Sequence, residues 1–132
     1  MTHPKQNASI LLVENDAVLR NEIRRHLQER GYDAVCASSQ AEAEAWIGKQ
    51  PFDLLITDLI LEFSDSGFII CHHFRKAYPA SRAILLSDVA AKTGMQFDLS
   101  GENARDWIHA DAIMDQTIRM EQLDCLLSHL LS

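Results

Sequence analysis

Pro51-Phe52-Asp53-Leu54-Leu55-Ile56-Thr57-Asp58-Leu59-Ile60-Leu61 decides the fold. An apolar run, Leu54 to Ile56, stops on a lone carboxylate, Asp58, and apolar residues resume behind it. A short apolar run of this kind fits a strand buried on both faces, as in a parallel sheet. Ligands of such sheets gather outside the carboxyl ends of the strands, which is where Asp58 falls. A turn-initiating Asp would read the same way in isolation. The neighbouring segments decide between the two.

Working outward, Ser9-Ile10-Leu11-Leu12-Val13 is a second apolar strand, ended by the polar cluster Glu14-Asn15-Asp16. Asp16 is a helix N-cap by type. From Ala17 to Arg30, Leu19, Ile23 and Leu27 recur every four residues, and Gly31 closes the amphipathic helix. Tyr32 to Ala37 is a short strand. Ser38 and Ser39 start a second helix with Ala43, Trp46 and Ile47 on one stripe, ending near Gly48 with Pro51 beyond. A third helix runs from about Phe68 to Ala77 and halts before Pro79. Ser81 to Leu86 is a fourth strand ending on Ser87 and Asp88. Ser100 to Asn103 reads as a helix start with Trp107 and Ile108 as the apolar face of a short helix, and Ala112-Ile113-Met114 is a brief fifth strand ending on Asp115-Gln116-Thr117. Leu123, Leu126, Leu127, Leu130 and Leu131 then mark the last helix. Five strands alternating with helices make an α/β protein whose parallel sheet is covered on both faces, a doubly wound three-layer sandwich.

With 132 residues the chain is one domain, a polar tail over residues 1–8 and a folded body over 9–132. Nineteen acidic against twelve basic residues give a net charge of -7, which argues against direct nucleic-acid binding. No apolar run approaches the roughly 20 residues of a membrane span, and no secretory signal opens the chain, so the expected location is the cytoplasm. Cys36, Cys71 and Cys125 are distant and odd in number, and read as reduced core thiols. Adjacent His72 and His73 point about 100° apart on their helix and read as surface residues, while Trp46 and Trp107 read as core or boundary anchors. Arg24, Arg25 and Arg30 read as a solvated helix face.

In a doubly wound sheet the strand ends meet at one edge. Here they carry Glu14-Asn15, Asp58, Ser87 and Gln116. Two carboxylates and a carboxamide converging from separate strands are costly unless a positive charge sits among them. A hard divalent cation, magnesium above all, supplies it through oxygen ligands. A carboxylate beside such a cation is placed to attack a phosphoryl group, giving an acyl phosphate on Asp58, with Ser87 in reach of a phosphoryl oxygen. Nothing matches a Gly-rich phosphate loop, a Cys/His nucleophile pair or a zinc spacing.

At these residues the chain resembles the receiver domains of bacterial response regulators, the CheY-like proteins. The anchors are Ile10-Leu11-Leu12-Val13-Glu14-Asn15-Asp16, Asp53 to Asp58 with Gly67 behind it, Ile84-Leu85-Leu86-Ser87 and Ala110 to Thr117. The resemblance implies a flavodoxin-like fold with strand order 2-1-3-4-5. It implies that Asp58 is the phosphoacceptor in a two-component phosphorelay and takes its group from a sensor histidine kinase or a His-phosphotransfer protein. Such a domain is an acceptor, not a turnover enzyme. Glu14, Asn15, Asp58 and the Ile60 backbone carbonyl would hold magnesium, and Ser87 would be the switch hydroxyl. Further partners implied are a downstream protein target or output domain and a homodimer mate, on a surface that includes Val89 to Trp107.

Several positions depart from the family pattern. The second acid is Asn15, which weakens the cation site. The usual lysine falls on Gln116, the proline after it on Thr117, and the switch aromatic on Ile113. Asp88 follows the hydroxyl where a small residue is usual, and the loop to Gly67 is one residue longer, with Asp65 a candidate extra ligand. Losing an acid and a base together leaves the pocket charge at -2, but removes a cationic donor that senses the phosphoryl group. A charge-assisted hydrogen bond of about 1.5–3 kcal/mol is comparable to the coupling of about 1–3 kcal/mol available to an allosteric switch. The alternative reading is therefore a degenerate receiver, a protein-interaction module that works without phosphate.

Overall fold

The computed structural model describes residues 7–61, 63, 65–87, 110–115 and 119–131. The elements are β1 (Ser9–Val13), α1 (Ala17–Glu29), β2 (Asp33–Ala37), α2 (Gln40–Lys49), β3 (Leu54–Asp58), α3 (Ser66–Ala77), β4 (Arg82–Leu86), β5 (Ala112–Met114) and α4 (Met120–Leu130). All strand pairs are parallel and the order is β2-β1-β3-β4-β5. The doubly wound sandwich expected from the alternation is the one observed.

The two-residue period of the strands sorts their side chains onto two faces. Leu11, Val13, Leu55 and Leu85 pack with Ala43, Ile47, Ile70 and Phe74 of α2 and α3. Ile10, Leu12, Leu54, Ile56, Ile84 and Leu86 pack with Ile23, Leu27, Leu123 and Leu127 of α1 and α4. Continuous apolar strands are the consequence: both faces are dry, so the central positions of β1, β3 and β4 are apolar and polar residues fall at or next to the strand ends.

Local chemistry sets the helix limits. Asp16 caps α1 by accepting from the Val18 and Leu19 N–H groups at 2.9 and 3.3 Å, and Gly31, at φ 88°, takes the left-handed turn that follows. Ser39 caps α2 through the Glu42 N–H at 3.1 Å. Tyr78, at the end of α3, donates its hydroxyl to the Ile47 and Gln50 carbonyls, closing α2 from a neighbouring element. The third helix starts at Ser66, two residues earlier than the sequence pattern suggests, and Asp65 makes no side-chain cap there.

Other differences from the sequence reading concern the surface. Cys71 is buried and Cys36 half-buried, but Cys125 is exposed: it lies off the leucine stripe of α4 and is not a core thiol. Arg30 is not merely solvated; it meets Asp124 of α4 at 3.0 Å, beside His26, whose Nε2 lies 2.7 Å from the same carboxylate. Trp46 is half-buried with the Lys49 ammonium 4.7 Å from its ring centre. His72 and His73 are exposed, as expected, and His73 Nδ1 pairs with Glu44 at 2.6 Å. Asp88, the whole Val89–Trp107 stretch, Gln116 and Thr117 lie outside the described residues. Among the described residues no helix is long and apolar enough to cross a membrane.

Candidate functional site

Strand register builds the site. β1 and β3 run Ile10 beside Leu54 and Leu12 beside Ile56. Two residues further along each strand, on the same face, come Glu14 and Asp58. On the other side β3 ends with Asp58 beside Leu86, and Ser87 follows at once. The Leu59 N–H donates to the Leu86 carbonyl at 2.8 Å, and the Ser87 N–H to the Met114 carbonyl at 2.9 Å, so strand pairing persists up to the rim. Asp58 is fully buried, Glu14 is 2% exposed and Ser87 4%. Three polar residues from three strands thus converge where the two apolar layers end, as the sequence pattern required.

Glu14 and Asp58 interact directly. Burial, then the hydrogen bond to the Asp58 carboxyl and its charge, push the Glu14 carboxyl up to about 9, against which an N–H bond from Asp16 works only partly. That bond runs from the Asp16 N–H to Glu14 Oε1 at 3.2 Å. Glu14 Oε2 is buried with no hydrogen-bond partner among the described residues. An orphaned carboxylate oxygen beside a second carboxyl group is what a hard cation relieves. Asn15 is next in the chain and exposed, and Ile60 lies two residues past Asp58. The donor chemistry fits magnesium. Among the described residues no three His, Cys, Asp or Glu side chains gather into a metal-holding group. Asp65 is exposed at the start of α3, and Ile113 is half-buried against the α2–α3 core.

Three further residues contribute, two of which, Thr57 and Arg20, were given no role by the motif reading. Thr57, fully buried, donates its hydroxyl to the Asp58 carbonyl at 3.0 Å. Arg20 donates Nη1 to the Glu14 carbonyl at 2.8 Å. Gly67 lets α3 press against the end of β3: a Cβ there would lie 2.6 Å from Leu59 Cα, 2.8 Å from Leu85 Cδ1 and closer still to the Asp58 carbonyl oxygen. Only Gly67 carried a sequence signal. The rim also bears exposed apolar side chains, Val18, Ile60 and Phe63.

Comparison with known proteins places this geometry. The family model for the response regulator receiver domain matches residues 10–122. The alginate biosynthesis transcriptional regulatory protein AlgB of Pseudomonas aeruginosa is 31% identical over 86 residues, covering 65% of this chain and 19% of its own. The DNA-binding transcriptional regulator NtrC of Rhizobium meliloti is 29% identical over 80 residues, covering 61% of this chain and 16% of its own. The chain therefore spans under a fifth of the length of these two relatives. Among solved structures, the response regulator TrrA of Thermotoga maritima, in complex with magnesium and BeF, superposes with a TM-score of 0.75 at 21% identity, covering 94% of this chain and 99% of that one. The chemotaxis response regulator CheY4 of Vibrio cholerae gives 0.77 at 21% identity, with 94% and 98% covered.

Proposed function

The chain belongs to the response regulator receiver family, and from that premise we propose that Asp58 accepts a phosphoryl group from a phospho-histidine in a magnesium-dependent reaction. One observation carries the reading: the Glu14 and Asp58 carboxyls meet, buried, at the carboxyl ends of β1 and β3 with Ser87 on the adjacent strand. A carboxyl pair forced together in a dry site is unfavourable for stability and is tolerated where it serves a bound cation.

Glu14, Asn15, Asp58 and the Ile60 carbonyl would hold the magnesium, which would neutralise oxygens on the transferring group when bound. The chain's own residues do the rest. An Asp58 carboxylate oxygen forms the new bond to phosphorus as the bond from phosphorus to the donor imidazole nitrogen breaks, and the imidazole leaves. The Ser87 hydroxyl donates to a phosphoryl oxygen. Thr57 and Gly67 fix the Asp58 backbone so that its carboxyl faces the cup. Gln116, which the resemblance aligns with the family's lysine, carries a neutral amide and lies outside the described residues.

The donor is a sensor histidine kinase or a His-phosphotransfer protein, and the recipient of the signal is a downstream protein or output domain, in the cytoplasm. A homodimer is a further partner of this kind. The domain is modified, not a catalyst that turns over. Its relatives are response regulators, which weighs against the phosphate-independent module. The test is incubation with magnesium and acetyl phosphate followed by intact-mass measurement. A phosphoryl mass gain is expected, lost in Asp58→Ala and without magnesium; its absence from the wild-type protein would remove the reading.

A further inference from the structure

The turn that carries Glu14 and Asn15 is tied at three points. The Glu14 N–H donates to the Ala37 carbonyl of β2 at 3.1 Å, and the Asp16 N–H donates to Glu14 Oε1 at 3.2 Å. The third tie is the Glu14 carbonyl, which accepts from Arg20 Nη1 at 2.8 Å. That carbonyl belongs to the peptide plane joining Glu14 to Asn15. Its orientation sets where the Asn15 Cα leaves the strand, and so how far apart the two side chains lie. Arg20 reaches it from the first turn of α1, where its own N–H donates to the Asp16 carbonyl at 2.9 Å. The helix start and the strand end are thereby locked to one another through a single half-buried guanidinium.

We propose that Arg20 is a positioning residue of the cation site: it fixes the Glu14–Asn15 peptide plane and touches neither the cation nor the phosphoryl group. The inference rests on the reading of Glu14, Asn15 and Asp58 as cation ligands. It is specific to a site with few charged donors. Where only two carboxylates attract the cation, the geometry of the amide oxygen on Asn15 carries more of the binding, and an error in the peptide plane is not recovered by a third acid. Groups that orient metal ligands without touching the metal matter about 10–100-fold in affinity when removed.

The sign of the effect separates positioning from charge. Arg20 is a cation near an acidic cup, so if it acted only through its field, removing it would strengthen magnesium binding. If it positions the turn, removing it weakens binding. The experiment is a magnesium titration followed by the backbone amide shifts of Glu14, Asn15 and Asp58, on the wild-type chain, R20A, R20K and R24A. R20A is expected to bind magnesium about 10-fold more weakly, and R20K, which keeps a donor on a long stem, to recover part of that loss. R24A, whose guanidinium instead meets Asn21 Oδ1 at 3.3 Å, is expected to bind as the wild type does. Unfolding midpoints measured alongside separate a loss of fold from a loss of affinity, and R20K serves if R20A does not fold. Unchanged or tighter binding in the folded Arg20 variants overturns the positioning role. Absence of binding in the wild type removes instead the cation-site reading on which it rests.

Discussion

The Glu14 and Asp58 carboxyls lie together, both buried, at the adjacent ends of β1 and β3, beneath the ends of two apolar layers. A folded-state value of about 9 for Glu14, against 4.5 for the free side chain, has a direct consequence for stability. Below 4.5 both folded and unfolded chains hold the proton, and this group contributes no pH dependence. Between 4.5 and about 9 the unfolded chain releases it while the folded chain keeps it, so stability falls as pH rises, by at most about 1.4 kcal/mol per pH unit. Urea midpoints of the metal-free protein are therefore expected to decline from pH 5 to pH 8. Magnesium, which favours the ionised carboxyl, flattens the decline. Midpoints that hold constant in the absence of metal would remove the coupled pair.

The cost of keeping the Glu14 proton at pH 7 can be lowered by mutation. Asp58→Asn replaces one carboxyl by an amide that donates to Glu14, so the metal-free protein at pH 7 gains about 1 kcal/mol while losing phosphorylation. For a domain of this size that is a rise in the thermal midpoint of roughly 3–5 °C. A fall in midpoint for Asp58→Asn would mean that the carboxyl earns stability in the absence of a cation, contrary to the geometry described.

Gly67 ties the helix to the site through space and not through chemistry. A methyl group there meets backbone on two sides, at Leu59 Cα and the Asp58 carbonyl, neither of which can rotate away. Gly67→Ala is expected to cost about 1–3 kcal/mol and to displace the Asp58 amide resonance. A Gly67→Ala protein with wild-type stability and unmoved Asp58 signals contradicts this packing.

How much of this was legible beforehand follows from range. Continuous apolar runs ending on Glu14, Asp58 and Ser87 required only the two-residue period and a parallel sheet, and those are local properties of the chain. The start of α3 was misplaced because Asp65 has the residue type of a cap but makes no capping bond, leaving Phe68 as the first periodic signal. Cys125 was misread by hydrophobicity alone; its position between Leu123 and Leu127 on α4 already turns it outward. The Arg30–Asp124 pair and the Arg20–Glu14 bond depend on how α1 lies against α4 and β1, which no spacing in the sequence encodes. The raised Glu14 is the same case, since it needs burial and a neighbour from another strand.

The thiols provide a check on burial at three depths. Cys71, buried within the α2–α3 core, is pushed up to about 12 by burial first and the Asp111 charge second. Burial also raises Cys36, more than Arg24 and Arg20 lower it. Cys125 is exposed. Alkylation depends on access and on the thiolate, so with iodoacetamide at pH 8 Cys125 is expected to react first, Cys36 more slowly and Cys71 only in denaturant. Peptide mapping that finds Cys71 modified early in the native protein would place α3 wrongly.

Asp111 offers a perturbation of stability remote from the cup. At the opposite end of the sheet from Asp58, its carboxylate is 5% exposed and binds three groups on two elements: Arg75 of α3 at 2.7 Å, and Arg82 at 3.2 Å and the Ala83 N–H at 2.8 Å, both of β4. Asp111→Ala strands the buried Ala83 N–H, whereas the two arginines, 31% and 48% exposed, turn to water and forfeit little. The cost is accordingly that of one buried unsatisfied donor and its lost charged partner, about 2–3 kcal/mol, and not that of two broken ion pairs. Magnesium affinity of the folded fraction is expected to stay at the wild-type value, because strand pairing between Asp58 and Leu86 does not involve this end of β4. A parallel fall in affinity and stability would show that the two ends of the sheet are coupled, and that the rim is held by more than its local bonds.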